Sequence, residues 1–175
     1  MKISKRLILM YLLLMAAALF SASTIAKQYY IYGDPKNGTR FKEQLYAWPV
    51  PLNKSYSRLS RDHQLIVRSD YPQMAEDDTP PYPSRGVGKV LKPFVEEFRW
   101  FGGFSGGNIY ALVDETGQVV KVDGSPTIHA EVLGFMNRHL RTVRFDSGLC
   151  SGDPCSAVFV LKLHAIRNPK REDYL

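Results

Sequence analysis

Cysteine is almost missing from this chain of 175 residues, which holds only Cys150 and Cys155. Two thiols leave a tetrahedral site half empty, and the closest histidine, His164, lies nine residues further on, so no metal centre is expected. Their context, GLCSGDPC, is also not the C-x-x-C at a helix start with which oxidoreductases depress a thiol pKa. Gly152 and Pro154 form turns, so a hairpin can bring the two cysteines within disulfide range. The reading that fits is a structural staple.

Charge of one sign is scarce too. The formal net charge is +6, but the first 26 residues hold Lys2, Lys5 and Arg6 and no acid, which leaves 20 basic against 17 acidic residues after them. So small an excess gives no reason to expect nucleic acid as a partner. Paired carboxylates at catalytic spacing are lacking: Glu76-Asp77-Asp78 and Glu96-Glu97 read as solvated charge runs. The histidines His63, His129, His139 and His164 are scattered; His129 and Glu131 fall on different helix faces, and His139 sits in a last helical turn, where a basic side chain suits the dipole. No cofactor is expected.

One stretch does suggest catalysis. Gly103-Phe104-Ser105-Gly106-Gly107 fits the G-x-S-x-G pattern of a serine nucleophile. A nucleophile elbow needs a strand before the serine and a helix after it, and Ser105 has the reverse. The two-barrel fold of chymotrypsin-like proteases needs more strands than this chain offers. GGFSGG also lacks the Gly-Lys-Ser/Thr ending of a phosphate-cradling loop. The stretch therefore reads as a helix-to-strand connection, and the chain is not expected to be an enzyme.

The N-terminus is informative. MKISKR is a basic region, Leu7 to Phe20 an apolar run, and Thr24 and Ala26 are small residues placed for cleavage before Lys27. A secretory signal is the expectation; an uncleaved anchor from Leu7 to Ala26, roughly 20 residues and about the span of a bilayer, is the alternative. Either way the remainder lies outside the cytoplasm, where the cysteines can oxidise.

Further along, Gln28 to Tyr32 suggests a short strand and Asp34 to Gly38 a turn, within a loosely ordered arm that runs to Leu52. Ser60 as cap, Asp62 in the first turn, Leu65 and Ile66 as apolar positions and Pro72 as stop predict a helix of about three turns, with a strand over Gln64 to Arg68 as the alternative. His63 is expected to face solvent. QMAEDDTPPYPSR, from Gln73 to Arg85, cannot continue a helix and places a boundary near Thr79.

Beyond it, Val87, Val90, Leu91, Phe94, Val95 and Phe98 lie on one helical face, with Pro93 tolerable only in the first turn. Asn108 to Val113 and Gln118 to Val122 form a hairpin around Asp114-Glu115-Thr116-Gly117. Ser125-Pro126 opens a second helix whose apolar face is Ile128, Val132, Leu133, Met136 and Leu140. Ser156 to His164 is a strand with Ala157, Phe159, Leu161 and Leu163 on one face. The fold class is α+β. The division is a signal or anchor at 1–26, a partly helical extension at 27–78, a domain at 79–167 and a polar tail at 168–175.

With those elements placed, Tyr82-Pro83, the run NIYALVDETGQVVKV, the helix with Phe135 and Met136, and VRF before the last strand resemble, in order and spacing, the C-terminal domain of the TonB family of periplasmic energy transducers. The resemblance covers about half the chain. It implies a helix-and-sheet module that binds a protein partner, such as an outer-membrane receptor segment, by adding a strand to a sheet edge. Carried over, Tyr82 and Pro83 lie beside the partner strand, and the last strand, with Val158, Val160 and Lys162, offers the edge. The departures are a cleavable N-terminus, no Pro-Glu/Pro-Lys spacer, and the Cys150–Cys155 pair. Membrane association follows only if residues 1–26 are retained; otherwise the protein is periplasmic, and the alternative role is that of a secreted scaffold. Residues 27–78 are expected to cover a sheet edge, because an open one invites aggregation.

Overall fold

A computed structural model gives the fold, described over residues 28–33, 43–98 and 106–164. The expected signal at 1–26, the Asp34-to-Gly38 turn, Gly103 to Ser105 and the tail at 168–175 lie outside those residues. Among the described residues, three α-helices and several small antiparallel sheets make the fold mixed, as an α+β class requires.

The centre is a three-stranded antiparallel sheet in the order β5-β4-β9, where β4 is Gly106–Val113, β5 Val119–Gly124 and β9 Ala157–His164. Its inner face carries Ile109, Ala111, Val113, Phe159, Leu161 and Leu163, all buried, because successive strand side chains alternate faces. The β4–β5 turn is closed by Asp114: its Oδ1 accepts from the Thr116 N–H at 2.9 Å, the Thr116 hydroxyl at 2.7 Å and the Gln118 N–H at 2.9 Å. Those bonds to the ionised form, the one from Gln118 first, hold the carboxyl below its usual range. Gly117, at φ +79°, permits the turn; a Cβ there would stand 2.1 Å from the Phe145 carbonyl oxygen.

Two helices cover the inner face. Helix α2, Gly88–Phe98, buries Val90, Leu91, Phe94, Val95 and Phe98, the expected stripe, and Val87 just before it is buried as well. Pro93 falls in the second turn rather than the first, so the Lys89 carbonyl loses its partner four residues on. His139 replaces it: Nε2 lies 2.9 Å from that oxygen, and a carbonyl only accepts, so the ring donates from Nε2. Helix α3, Ala130–Leu140, buries Val132, Met136 and Leu140. It starts after His129, later than Ser125-Pro126, because Ser125 is engaged with the sheet: its Oγ accepts from the Asn108 N–H at 3.0 Å and its N–H donates to the Asn108 carbonyl at 2.8 Å.

The expectation of a loosely ordered arm up to Leu52 is corrected. Strands β1, Tyr29–Gly33, and β2, Glu43–Trp48, form an antiparallel pair, and Ile31, Tyr46, Val50, Tyr56 and Leu59 belong to the same buried cluster as the sheet and helices. Helix α1, Arg61–Arg68, follows with Ser60 as its cap; it is eight residues long, shorter than expected, and ends before Ser69. Leu65 is exposed, whereas Ile66 and Val67 pack on the core. His63 is half-buried, with Nδ1 2.8 Å from the Ser60 hydroxyl and an edge contact with Tyr29. Thr79, the first residue of the expected 79–167 domain, bridges to Leu149 through two backbone hydrogen bonds.

Two short pairs complete the fold. Strand β3, Tyr82–Pro83, pairs with β6, Phe145–Asp146. Strands β7, Gly148–Cys150, and β8, Asp153–Cys155, form the expected cysteine hairpin, closed by a disulfide with a Cα separation of 5.8 Å. Ser151 and Gly152 turn it with φ of 53° and 93°, the positive values of the tight hairpin turn that matches strand twist.

Candidate functional site

The candidate docking surfaces are the two edges of the central sheet. In an antiparallel ladder the N–H and C=O of alternate residues point to one neighbour, and those between point the other way. Asn108 bonds Ser125 on the β5 side, so the even residues of β4 face β5 and the odd ones face β9. With Ala111 opposite Phe159 and Ile109 opposite Leu161, the odd residues of β9 bond β4. Val158, Val160, Lys162 and His164 therefore turn their backbone groups outward. By the same register, with Tyr110 opposite Asp123 and Leu112 opposite Lys121, Val122 turns its groups outward from β5.

The β9 edge is covered in part by the chain itself. The Val160 N–H donates to the Tyr71 hydroxyl at 2.9 Å and the His164 N–H to the Tyr46 hydroxyl at 2.8 Å. Between them the Lys162 ammonium pairs with the Asp70 carboxylate. Burial pushes the Tyr46 hydroxyl up to about 12 against the opposing effect of its hydrogen bond from His164, and burial likewise pushes Tyr71 well above the ordinary tyrosine range. Both phenols thus stay protonated over the whole ordinary pH range. The expectation that residues 27–78 cover a sheet edge is met at β9, through Tyr46, Asp70 and Tyr71.

Of the expected edge residues, Val160 has its outward amide taken and Lys162 its side chain paired, while among the described residues no hydrogen bond reaches the outward backbone groups of Val158 and Lys162. Val158 keeps an exposed side chain on the outer sheet face. Tyr82 and Pro83 do not lie beside a free strand. Both are buried, and the Tyr82 ring meets Tyr56 at 6.1 Å and Phe159 at 6.3 Å, beneath the sheet. The Tyr82 hydroxyl has no hydrogen-bond partner among the described residues, and burial pushes its pKa well up.

The β5 edge differs. Val120 is 46% exposed, and its carbonyl accepts from Arg141 Nη2 at 3.0 Å. Among the described residues no hydrogen bond reaches the outward N–H or C=O of Val122. The open stretch is short, because beyond it Gly124 lies under Ile128, where a Cβ would come within 3.2 Å.

The Gly-rich stretch has a packing role at its described end. A Cβ on Gly107 would stand 2.6 Å from Thr127 Oγ1 and 2.7 Å from Ile128 Cδ1, so this glycine lets the turn before α3 lie against β4. Ser105 itself lies outside the described residues. Among those described, no three histidine, cysteine, aspartate or glutamate side chains are grouped so as to hold a metal ion, and no helix is long and apolar enough to cross a membrane.

Neither the family models nor the curated proteins nor the solved structures include one that matches this chain. Sequence reasoning had the β9 edge as the docking strand and missed the tyrosines that cover part of it. The signal available was the density of aromatics between Tyr29 and Tyr71, too many for a disordered arm.

Proposed function

We propose that this chain is a periplasmic interaction module, similar to the C-terminal domain of TonB-family energy transducers, that takes up an extended segment of a protein partner as an added strand on β5. The observation that carries the reading is the outward N–H and C=O of Val122, which no hydrogen bond among the described residues reaches, on an edge strand of a three-stranded antiparallel sheet. Strand addition draws its affinity from such backbone groups and asks for little in the way of side-chain signature. The order α2, β4–β5 hairpin, α3, β9 agrees with the resemblance, and the segment Met1 to Ala26 and the Cys150–Cys155 disulfide both favour export. In its strongest form the partner is a segment of an outer-membrane receptor, and retention of residues 1–26 as an inner-membrane anchor then allows force to be transmitted. The role needs no catalytic group and no cofactor.

The cover on β9 favours a second reading, in which the fold is a secreted scaffold without energy coupling. Titration of the protein with peptides from the N-terminal segments of outer-membrane receptors, followed by backbone amide NMR, separates the two. Docking predicts saturable shifts centred on Val120 to Gly124 with β9 unmoved. Shifts confined to Val158 to His164, or none with any peptide, would sink the β5 proposal and leave the scaffold.

A further inference from the structure

Away from both edges, a cleft of about 540 Å³ opens between the start of α2 and the chain leaving α3. Its volume is within the roughly 300 to 1,000 Å³ of small-ligand sites. Arg85, Lys89 and Arg144 line it, together with His139, and no carboxylate does. The three cations are exposed and enter no ion pair among the described residues. Pro93 and Val143 supply an apolar wall.

The cleft is held in shape by hydrogen bonds to backbone groups. The Ser84 N–H and hydroxyl both donate to the Arg144 carbonyl, at 3.1 Å and 2.9 Å, which ties the loop bearing Arg85 to the start of β6. The His139 ring is fixed on the Lys89 carbonyl that Pro93 leaves free. Thr142 donates from its N–H and hydroxyl to the His139 carbonyl, at 2.9 Å and 2.7 Å. The backbone on both sides is thus pinned, while Arg85, Lys89 and Arg144 line the same concavity, Arg144 also acting on the Asp114 carboxylate from there.

Like charges gathered in one concavity repel, and a bound anion removes that cost. Two guanidinium groups favour an oxyanion able to accept bidentate hydrogen bonds, and three cations favour a charge near −2 over −1. A phosphate monoester meets both conditions at neutral pH. The volume exceeds what a bare phosphate needs, so an organic body lies on Pro93 and Val143. Glu97 of α2 and Glu131 of α3 line a separate cleft with Arg138, and the one carboxylate that the Arg144 charge acts on, Asp114, is in the β4–β5 turn and does not line the cleft.

We propose that the cleft between α2 and the α3–β6 segment binds a phosphate monoester group through Arg85, Lys89 and Arg144. The group can belong to a soluble metabolite or to a lipid headgroup, and the chemistry of recognition is the same. This proposal does not rest on the docking edge.

Calorimetric titration of the full chain with glycerol phosphate, beside co-sedimentation with phosphatidic acid vesicles, tests it and separates the sources. Saturable one-to-one binding of glycerol phosphate, weakened at least tenfold by the double variant Arg85→Gln/Arg144→Gln and unchanged by Arg138→Gln, supports a soluble ligand. Vesicle binding lost in the double variant, with glycerol phosphate alone too weak to saturate, supports a headgroup. Absence of both, or binding that the double variant retains, overturns the proposal. If the double variant does not fold, Lys89→Gln alone, judged by the same tenfold criterion, decides.

Discussion

The two outer strands of the central sheet meet the same physical problem, a row of unpaired backbone groups, and meet it differently. On β9 the chain covers part of its own edge without adding a strand: two tyrosine hydroxyls accept from the Val160 and His164 amides, and one ion pair sits between them. On β5 a single side chain, Arg141, takes the Val119 and Val120 carbonyls, and among the described residues no hydrogen bond reaches the outward backbone groups of Val122. Covering by side chains satisfies donors one by one and leaves no strand for a competitor to displace in register. An edge left partly open keeps continuous backbone available for pairing. The difference teaches that hydrogen-bond direction, more than strand position, decides where an added strand can go.

The largest effect that bears on this comparison comes from removing the cover altogether. A fragment of residues 79–175 loses Ile31, Tyr46, Val50, Tyr56 and Leu59 from the shared core and uncovers β9 at once. Large-to-small losses cost about 2 to 5 kcal/mol each, and a domain has only about 5 to 15 kcal/mol in total. The fragment should therefore show collapsed amide dispersion by NMR and aggregate. A well-dispersed monomeric spectrum with a cooperative melt would falsify the single-core reading and restore 27–78 as a separable extension.

Next come the tyrosines. For Tyr46 the ordinary value of 10.0 rises to about 12 on folding, so the folded state holds the proton more tightly than the unfolded one. The contribution is full below pH 10 and falls as the pH rises through 10 to 12, where the unfolded chain ionises first. Two pKa units correspond to about 2 to 3 kcal/mol. Denaturant midpoints between pH 9 and 12 should drop in the wild type and drop less in Tyr46→Phe. At pH 7, Tyr46→Phe and Tyr71→Phe should each cost about 1 kcal/mol by leaving an amide without its acceptor. Equal slopes in wild type and Tyr46→Phe would mean that this hydroxyl does not hold the edge.

The readability of these features in the sequence follows from their range. The helix stripe Val87 to Phe98, the Asp114-Glu115-Thr116-Gly117 turn, the alternation in β9 and the cysteine hairpin depend on neighbours within a few residues, and all are found where their spacing puts them. The start of α3 was misread because Ser125, a good cap, is taken by Asn108, 17 residues away. Pro93 could sit in a second helical turn because His139, 50 residues beyond Lys89, takes the freed Lys89 carbonyl. The cover on β9 depends on bonds between residues 89 and 118 positions apart, for which no local pattern exists. The strands of the central sheet were therefore legible, and the cover on its β9 edge was not.

A smaller effect on stability sharpens the comparison from the β5 side. Because the Val122 N–H points away from β4, Val122→Pro removes no ladder bond, and proline is tolerated on such an edge. The cost should stay within about 1 kcal/mol by chemical denaturation. Leu161→Pro, whose N–H bonds β4, should cost about 3 kcal/mol or more. Peptide uptake by Val122→Pro should be lost while the melt is nearly unchanged; a large loss of stability instead would show that the β5 edge is already paired.

The smallest effect belongs to the ion pair on β9. The Lys162 and Asp70 side chains are 48% and 23% exposed, so water and salt screen their attraction, and Asp70→Asn should cost about 0.5 kcal/mol. Neutral hydroxyl-to-amide bonds are not screened in this way. If Tyr46 and Tyr71 are what hold the cover, amide exchange at Val160 and His164 stays slow in 1 M salt and in Asp70→Asn, and quickens at Val160 in Tyr71→Phe. Fast exchange in salt alone would mean that the cover is held by charge, and ionic strength would then join pH among the conditions that open β9 to a partner.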